Sequence, residues 1–130
     1  MIADRFDHLF ISPRDYDASL VFYVEKLGWE ISESWISDGL RGCELSSSGV
    51  KLVLAERGAG ADNAWEGAAA DGRLMLHLDI HNLQKRFDAV PRGEHVVRQP
   101  EPQKMGPDWF VLQDPDGNLI AFNDRRQKIG

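Results

Sequence analysis

Short runs of alternating hydrophobic and polar residues make up most of the chain, and two stretches with helical spacing interrupt them. The first helical stretch covers residues 15–28, where apolar residues recur at the i, i+3, i+4, i+7 spacing of an amphipathic helix. Asp15 or Asp17 can cap its start, and Gly28 supplies a stop. Alternating runs predict four strands around this helix, at residues 5–12, 29–35, 40–46 and 50–56. Residues 6–56 are therefore predicted to form a β-α-β-β-β unit.

The same order of elements recurs over residues 74–124. Asn82 is placed to cap a second helix, which Pro91 ends. Strands are predicted at residues 74–80, 94–99, 109–113 and 118–124. The stretch between the two units, residues 57–73, is rich in Gly, Ala and Asp and has no sustained apolar period, which is typical of a linker.

This internal repeat predicts the fold class. One helix cannot cover both faces of a four-stranded sheet, so two such units are expected to pair. The expected structure is α+β, with two βαβββ modules that form paired half-barrels around a cleft. The chain has 130 residues, of which 42% are hydrophobic, and it is long enough for one domain over residues 1–130 but short for two.

Charge and cysteine content narrow the class of partner. The formal net charge of −6 argues against binding to nucleic-acid phosphates or to an anionic membrane surface, and leaves small molecules open. Cys43 is the single cysteine, so no disulfide can form within the chain. The first ten residues carry three charges and no apolar signal segment. We therefore expect a cytoplasmic protein.

Three features together resemble the vicinal oxygen chelate superfamily, which includes glyoxalase I, extradiol dioxygenases and the bleomycin-resistance proteins. They are the repeated unit, a first strand with His8 ahead of the helix sequence SLVFYVEKLGWE, and a closing hairpin with the sequence DPDGNLIAF. The resemblance covers almost the whole chain. It implies the paired-module fold and, for a chain of this length, a homodimer that builds its clefts across a two-fold interface.

In metal-dependent relatives, each half-barrel supplies metal ligands from its first and fourth strands. The resemblance makes His8, Glu56 and His77 the candidate ligands for a divalent ion such as Zn, Ni, Fe or Mn. Met75 stands where the ligand histidine of the fifth strand is usual, with His77 two residues further along the same face, and Ala121 stands where a glutamate is usual. Because alanine has no donor atom, a four-ligand site is excluded. A reduced three-ligand site, completed by water, would fit a lyase, an isomerase or a dioxygenase.

The alternative hypothesis is that the protein needs no metal and binds a small molecule, as the bleomycin-resistance type does. Aromatic rings stack on planar or cationic compounds, and an antibiotic is one such compound. The candidate ligand-binding residues are Trp35, Trp65, Trp109, Phe110 and Phe122. Each ring could instead fill the core, and this alternative is favoured for the two phenylalanines. Trp65 is harder to explain as packing, because it lies in the polar linker.

Overall fold

The computed structural model describes residues 2–58, 74–102 and 107–124. The chain divides into two compact units, Met1–Gly72 (unit 1) and Arg73–Gly130 (unit 2). Each unit has its own sheet and its own helix-side core. In the part of the chain that the structure describes, no helix is long and apolar enough to cross a membrane.

Unit 1 contains a four-stranded mixed sheet in the order β1-β4-β3-β2. Strand β1 runs parallel to β4, and the other pairs are antiparallel. The helix α1 is followed without a break by one π-helical segment. The bounds are β1 Leu9–Ile11, α1 Tyr16–Val21, the π-helical segment Phe22–Lys26, β2 Glu30–Ser37, β3 Leu40–Ser47 and β4 Val50–Ala55.

Helix α1 begins at its Asp15 cap. The Asp15 carboxylate accepts a hydrogen bond of 3.0 Å from the backbone N–H of Ala18, which satisfies one of the free donors of the first turn. Asp17 lies inside that turn and has a different partner, Arg41. After the π-helical segment, Gly28 has a φ of +80°, which only glycine adopts without strain, and the chain turns into β2.

The core of unit 1 lies between the sheet and this helix. Tyr23 is completely buried, and its ring contacts Phe22 at 4.9 Å and Trp29 at 5.5 Å between centroids. Leu45 and Leu52 from the sheet are also fully buried. Burial of a side chain of this size contributes roughly 1.5–3 kcal/mol, so these residues hold the helix against the sheet.

Unit 2 repeats this topology with the strand order β5-β8-β7-β6, in which β5 runs parallel to β8. Asn82 caps its helix by accepting a hydrogen bond of 3.1 Å from the Lys85 N–H. The bounds are β5 Met75–Asp79, α2 Leu83–Asp88, β6 Val96–Glu101, β7 Asp108–Gln113 and β8 Leu119–Asp124. The prediction of two β-α-β-β-β modules is confirmed, whereas their union into a single domain over residues 1–130 stays a prediction.

The DPDG turn fixes β8 in place. The Asp114 carboxylate accepts hydrogen bonds of 2.9 Å from the N–H groups of Asp116 and Asn118, and Gly117 has a φ of +93°. The Asn118 side chain in turn accepts a hydrogen bond of 2.9 Å from the N–H of Leu74. The turn therefore also positions the start of β5 beside β8.

Candidate functional site

The sheet of unit 2 has one face packed on α2 and one face turned away from it, which we call the open face. Phe110 contacts Phe87 of α2, so alternate residues of β7 belong to the open face. The strand register then assigns the neighbours of these residues in β5 and β8 to the same face. The open face carries Met75, His77, Asp79, Trp109, Val111, Gln113, Leu119, Ala121 and Asn123.

His77 and Trp109 come together on this face from strands that are not hydrogen-bonded to each other. Their rings are nearly parallel, at 13°, and their centroids are 6.2 Å apart. Trp109 is partly exposed, and His77 is exposed. Centroid distances of about 4.5–7 Å are those of interacting aromatic pairs. The pair therefore forms a platform of two rings, which we call the His77–Trp109 platform.

Asn123 sets the orientation of the His77 ring. Its side-chain amide lies 3.1 Å from the Nδ1 atom of His77 and donates to it. A neutral imidazole that accepts at Nδ1 carries its proton on Nε2. In this arrangement His77 presents an N–H donor rather than a metal-binding lone pair.

Arg98 flanks the other ring of the platform. Its guanidinium carbon lies 5.4 Å from the centroid of Trp109, and its guanidinium forms an ion pair with Glu101. Arg98 was not among the site residues predicted from the sequence. It lies in a predicted strand, but the pairing of β6 with β7 has register shifts on both sides of it, between Val96 and Arg98 and between Arg98 and Glu101. Such bulges re-aim side chains and are hard to read from alternation.

Phe110 and Phe122 lie on the opposite, helix side of the same sheet. They are 0% and 1% exposed, and their rings stack at 4.5 Å. Phe87 of α2 packs edge-on against Phe110 at 5.1 Å. This burial favours the packing role that the sequence allowed for both rings, because neither ring is accessible to a ligand.

In unit 1, the corresponding open face carries Phe10, Val53, Ala55, Gly42 and Trp35. His8 comes directly before β1, and alternation places it on the side of Phe10. The His8 imidazole forms a contact of 2.6 Å with the Asp7 carboxylate, which holds the pKa of Asp7 below its usual range.

Glu56 lies on the helix side of unit 1 and so does not share a face with His8. It follows Ala55, and it contacts Arg41, whose guanidinium covers the ring of Tyr16 in α1 at 4.7 Å. The two Glu56 oxygens accept from the Arg41 backbone N–H at 3.0 Å and from its guanidinium at 3.3 and 2.8 Å. These bonds lower the pKa of Glu56 to about 2. The structure thus separates two of the predicted metal ligands.

The predicted ligands do not fit a metal ion as they are placed. His8 contacts Asp7, Glu56 binds Arg41, and His77 accepts from Asn123. Within residues 2–58, 74–102 and 107–124, no group of three or more His, Cys, Asp or Glu side chains could hold a metal. As they are placed, these residues do not support a metal-dependent reaction, and their assignment as ligands stays a prediction.

Of the remaining predicted site residues, Trp65 lies outside the described residues. Trp35 is 37% exposed and covers its cross-strand partner Gly42. His81, which directly precedes the α2 cap Asn82, is exposed. Among the predicted ligand-binding aromatics that the structure describes, Trp35 and Trp109 are the two whose rings belong to open faces.

Comparison with known proteins gives the same fold. The chain is 28% identical over 132 residues to an uncharacterized protein of Shewanella frigidimarina (strain NCIMB 400), covering 92% of this chain and 94% of that protein. It is similar in structure to UcmS2, with a TM-score of 0.73 and 24% identity over 95% of this chain and 99% of UcmS2. It is also similar to TnmS3, an antibiotic binding protein from Streptomyces sp. CB03234, with a TM-score of 0.74 and 18% identity over 96% of this chain and 98% of TnmS3.

A match to a family model shows the family to which the chain belongs. The model of the Glyoxalase/Bleomycin resistance protein/Dioxygenase superfamily matches residues 5–122. This match includes both β-α-β-β-β units and most of the closing hairpin. The chain therefore belongs to the glyoxalase/bleomycin resistance protein/dioxygenase superfamily.

Proposed function

We propose that this protein binds a planar aromatic small molecule, such as an antibiotic, and holds it on the His77–Trp109 platform. The observation that carries this proposal is the partly exposed Trp109 ring, which lies on the open face with its plane parallel to that of His77. An exposed, fixed ring offers a flat apolar surface at low entropic cost. A ligand that stacks on it buries that surface.

The polar groups around the platform select for hydrogen-bond acceptors. His77 presents its Nε2–H, and Arg98 brings a guanidinium to the ring of Trp109. Both groups are donors, so a carbonyl or phenolic oxygen on the ligand has partners at either end. A cationic ligand has less support at this face, because the Arg98 guanidinium already lies over the tryptophan ring.

A binding role also agrees with the comparison with TnmS3. That protein is an antibiotic binding protein of the same fold. The fold also serves enzymes, so the site must decide the function. A metal-dependent lyase, isomerase or dioxygenase is not proposed, because Ala121 offers no donor atom beside His77 and Glu56 is bound to Arg41.

Titration with acridone, an uncharged planar compound with a carbonyl acceptor, tests the proposal. We expect the indole N–H resonance of Trp109 to shift on binding. Loss of a stacking ring costs on the order of 1 kcal/mol, so Trp109→Ala should weaken binding about fivefold. Val97→Ala, an exposed change on the neighbouring strand, is the matched control and should bind as the wild type does.

Further planar compounds with an oxygen acceptor extend the test. If neither acridone nor such compounds move the Trp109 resonance at millimolar concentration, the proposal is wrong. Equal affinity of the Trp109→Ala and wild-type proteins would also contradict it, since the ligand would then bind elsewhere.

We further propose that the protein is a cytoplasmic homodimer. Superfamily members of this length commonly build their clefts across a two-fold interface, and the sheet of each unit has an unpaired edge strand, β2 or β6. Light scattering at micromolar concentration should give twice the mass of the chain. A monomer mass would contradict the dimer.

A further inference from the structure

A groove lies on the helix side of unit 1, between α1 and the edge strand β2. Its volume is about 530 Å³, and volumes of roughly 300–1,000 Å³ are usual for small-molecule sites. Tyr16 and Leu20 of α1 line one side, and Ser34, Ile36 and Arg41 of the sheet line the other. The groove therefore has an apolar lining with a few polar groups, on the helix side of the sheet rather than on an open face.

Arg41 is the charged residue in this lining, and the edges of its guanidinium already donate hydrogen bonds to two carboxylates. Its Nε and one terminal nitrogen donate to Glu56 at 3.3 and 2.8 Å. Its terminal nitrogens also donate to the two carboxylate oxygens of Asp17 at 2.8 and 3.3 Å. One face of the guanidinium covers the ring of Tyr16 at 4.7 Å. The side chain is nevertheless 43% exposed, so the opposite face of the guanidinium is the surface that it offers to the groove.

The charge at this surface disfavours anions. One guanidinium lies between two carboxylates, those of Asp17 and Glu56, which leaves one net negative charge in the cluster. A guanidinium in a fixed plane is weakly hydrated and stacks well on aromatic rings. Arg41 therefore presents a flat stacking surface without the free edge that a carboxylate or phosphate would need.

We propose that this groove is a second small-molecule site, which binds an uncharged planar aromatic compound between the Arg41 guanidinium and the Ile36 side chain. The Ser34 hydroxyl, also in the lining, pairs with a polar substituent on that compound. The site does not depend on the proposed function of the His77–Trp109 platform. Its ligand would be selected by shape and by absence of negative charge.

Two probes of the same shape test the charge rule. The first is 2-naphthol, which is uncharged at neutral pH, and the second is 2-naphthoate, which is an anion. We expect 2-naphthol to bind up to about fivefold tighter than 2-naphthoate, because the net negative charge of the exposed cluster repels the anion. Binding is read from the backbone N–H resonances of Ser34 and Ile36, which line the groove, while the indole N–H resonance of Trp109 reports the platform separately.

Two matched variants test the location. Ile36 and Ile31 are both exposed isoleucines of β2 on the helix side, at 76% and 46%, but Ile36 lines the groove and Ile31 does not. Ile36→Ser should therefore weaken 2-naphthol binding severalfold, and Ile31→Ser should not. Arg41→Lys keeps the charge but removes the planar stacking surface, and it should weaken binding about fivefold with unchanged circular dichroism.

Three results would overturn the proposal: equal affinity for both probes, equal effects of the two isoleucine variants, or a shift of the Trp109 resonance in place of the Ser34 and Ile36 resonances. The groove could instead hold a second copy of the chain. In that case sedimentation velocity would show a dimer that Ile36→Ser dissociates, and 2-naphthol would bind the monomeric variant no more weakly than the wild type. Failure of the acridone test at the platform leaves these outcomes unaffected.

Discussion

The indole of Trp35 occupies the space that a side chain at Gly42 would fill. The two residues are cross-strand partners in β2 and β3. A Cβ atom added to Gly42 would lie 2.7 Å from Cζ2 of Trp35 and closer still to Nε1 and Cε2. The ring therefore covers the backbone of the interior strand β3 at a residue that has no side chain of its own.

This contact predicts a strong coupling between the two positions. Gly42→Ala should force the Trp35 ring away and cost about 1–3 kcal/mol in the free energy of unfolding, as overpacking does. In a Trp35→Ala background, the same Gly42→Ala change should cost much less. Urea denaturation of the four proteins measures both values. Equal costs in the two backgrounds would show that the indole does not occupy this space in solution.

Glu56 predicts a loss of stability in acid. Its hydrogen bonds from Arg41 lower its pKa from the ordinary 4.5 to about 2, so the folded protein prefers the ionised form. The stabilisation is complete above the unfolded-state pKa and is lost as the pH falls from about 4.5 towards 2. Glu56→Gln should therefore flatten the decline of the unfolding midpoint over this range.

Arg41→Gln provides the second arm of the acid experiment. Without the guanidinium, Glu56 keeps only the hydrogen bond from the backbone N–H of residue 41, which lowers its pKa less than the side-chain hydrogen bonds do. Adding Glu56→Gln to Arg41→Gln should then change the acid dependence less than Glu56→Gln changes it in the wild-type protein. A large further effect would mean that another group holds the Glu56 carboxylate.

Phe110 and Trp109 are neighbours in sequence, but replacement by alanine should destabilise the fold much more at Phe110 than at Trp109. Phe110 is fully buried against Phe87 and Phe122, so Phe110→Ala should cost about 3–5 kcal/mol in the free energy of unfolding. Trp109 lies partly exposed on the open face, and Trp109→Ala should cost clearly less. Thermal or urea denaturation measures the difference. The reverse order would make Trp109 a packing residue and remove the support for the platform.

Elemental analysis tests the metal assignment of His8, Glu56 and His77. We expect protein purified without chelator to carry less than stoichiometric Zn, Ni, Fe or Mn, because each predicted ligand contacts another protein group. A stoichiometric metal that His8→Ala and Glu56→Ala each release, and that the exposed His81→Ala retains, would establish the reduced metal site instead.

The repeated module could be read from the sequence, because its elements depend on local physics. Asn82 satisfies the first turn of its helix from an adjacent position, and Gly28 and Gly117 adopt positive φ where the chain turns. Alternation marks strands because side chains along a strand point to opposite faces. The absence of a donor atom at Ala121 was equally visible, since it requires only the identity of one residue.

The partners of the side chains were decided only by the tertiary structure. Successive residues of a strand point to opposite faces of the sheet, so an error of one residue in the end of β4 would move Glu56 to the other face. The sequence therefore could not show that Glu56 turns towards Arg41 rather than towards His8. Arg98 reaches Trp109 through a pairing whose register shifts beside it, and His77 meets Trp109 across the intervening strand β8. Such contacts depend on the strand order and on bulges. Local sequence does not encode these features, because they result from interactions among many residues that are distant along the chain.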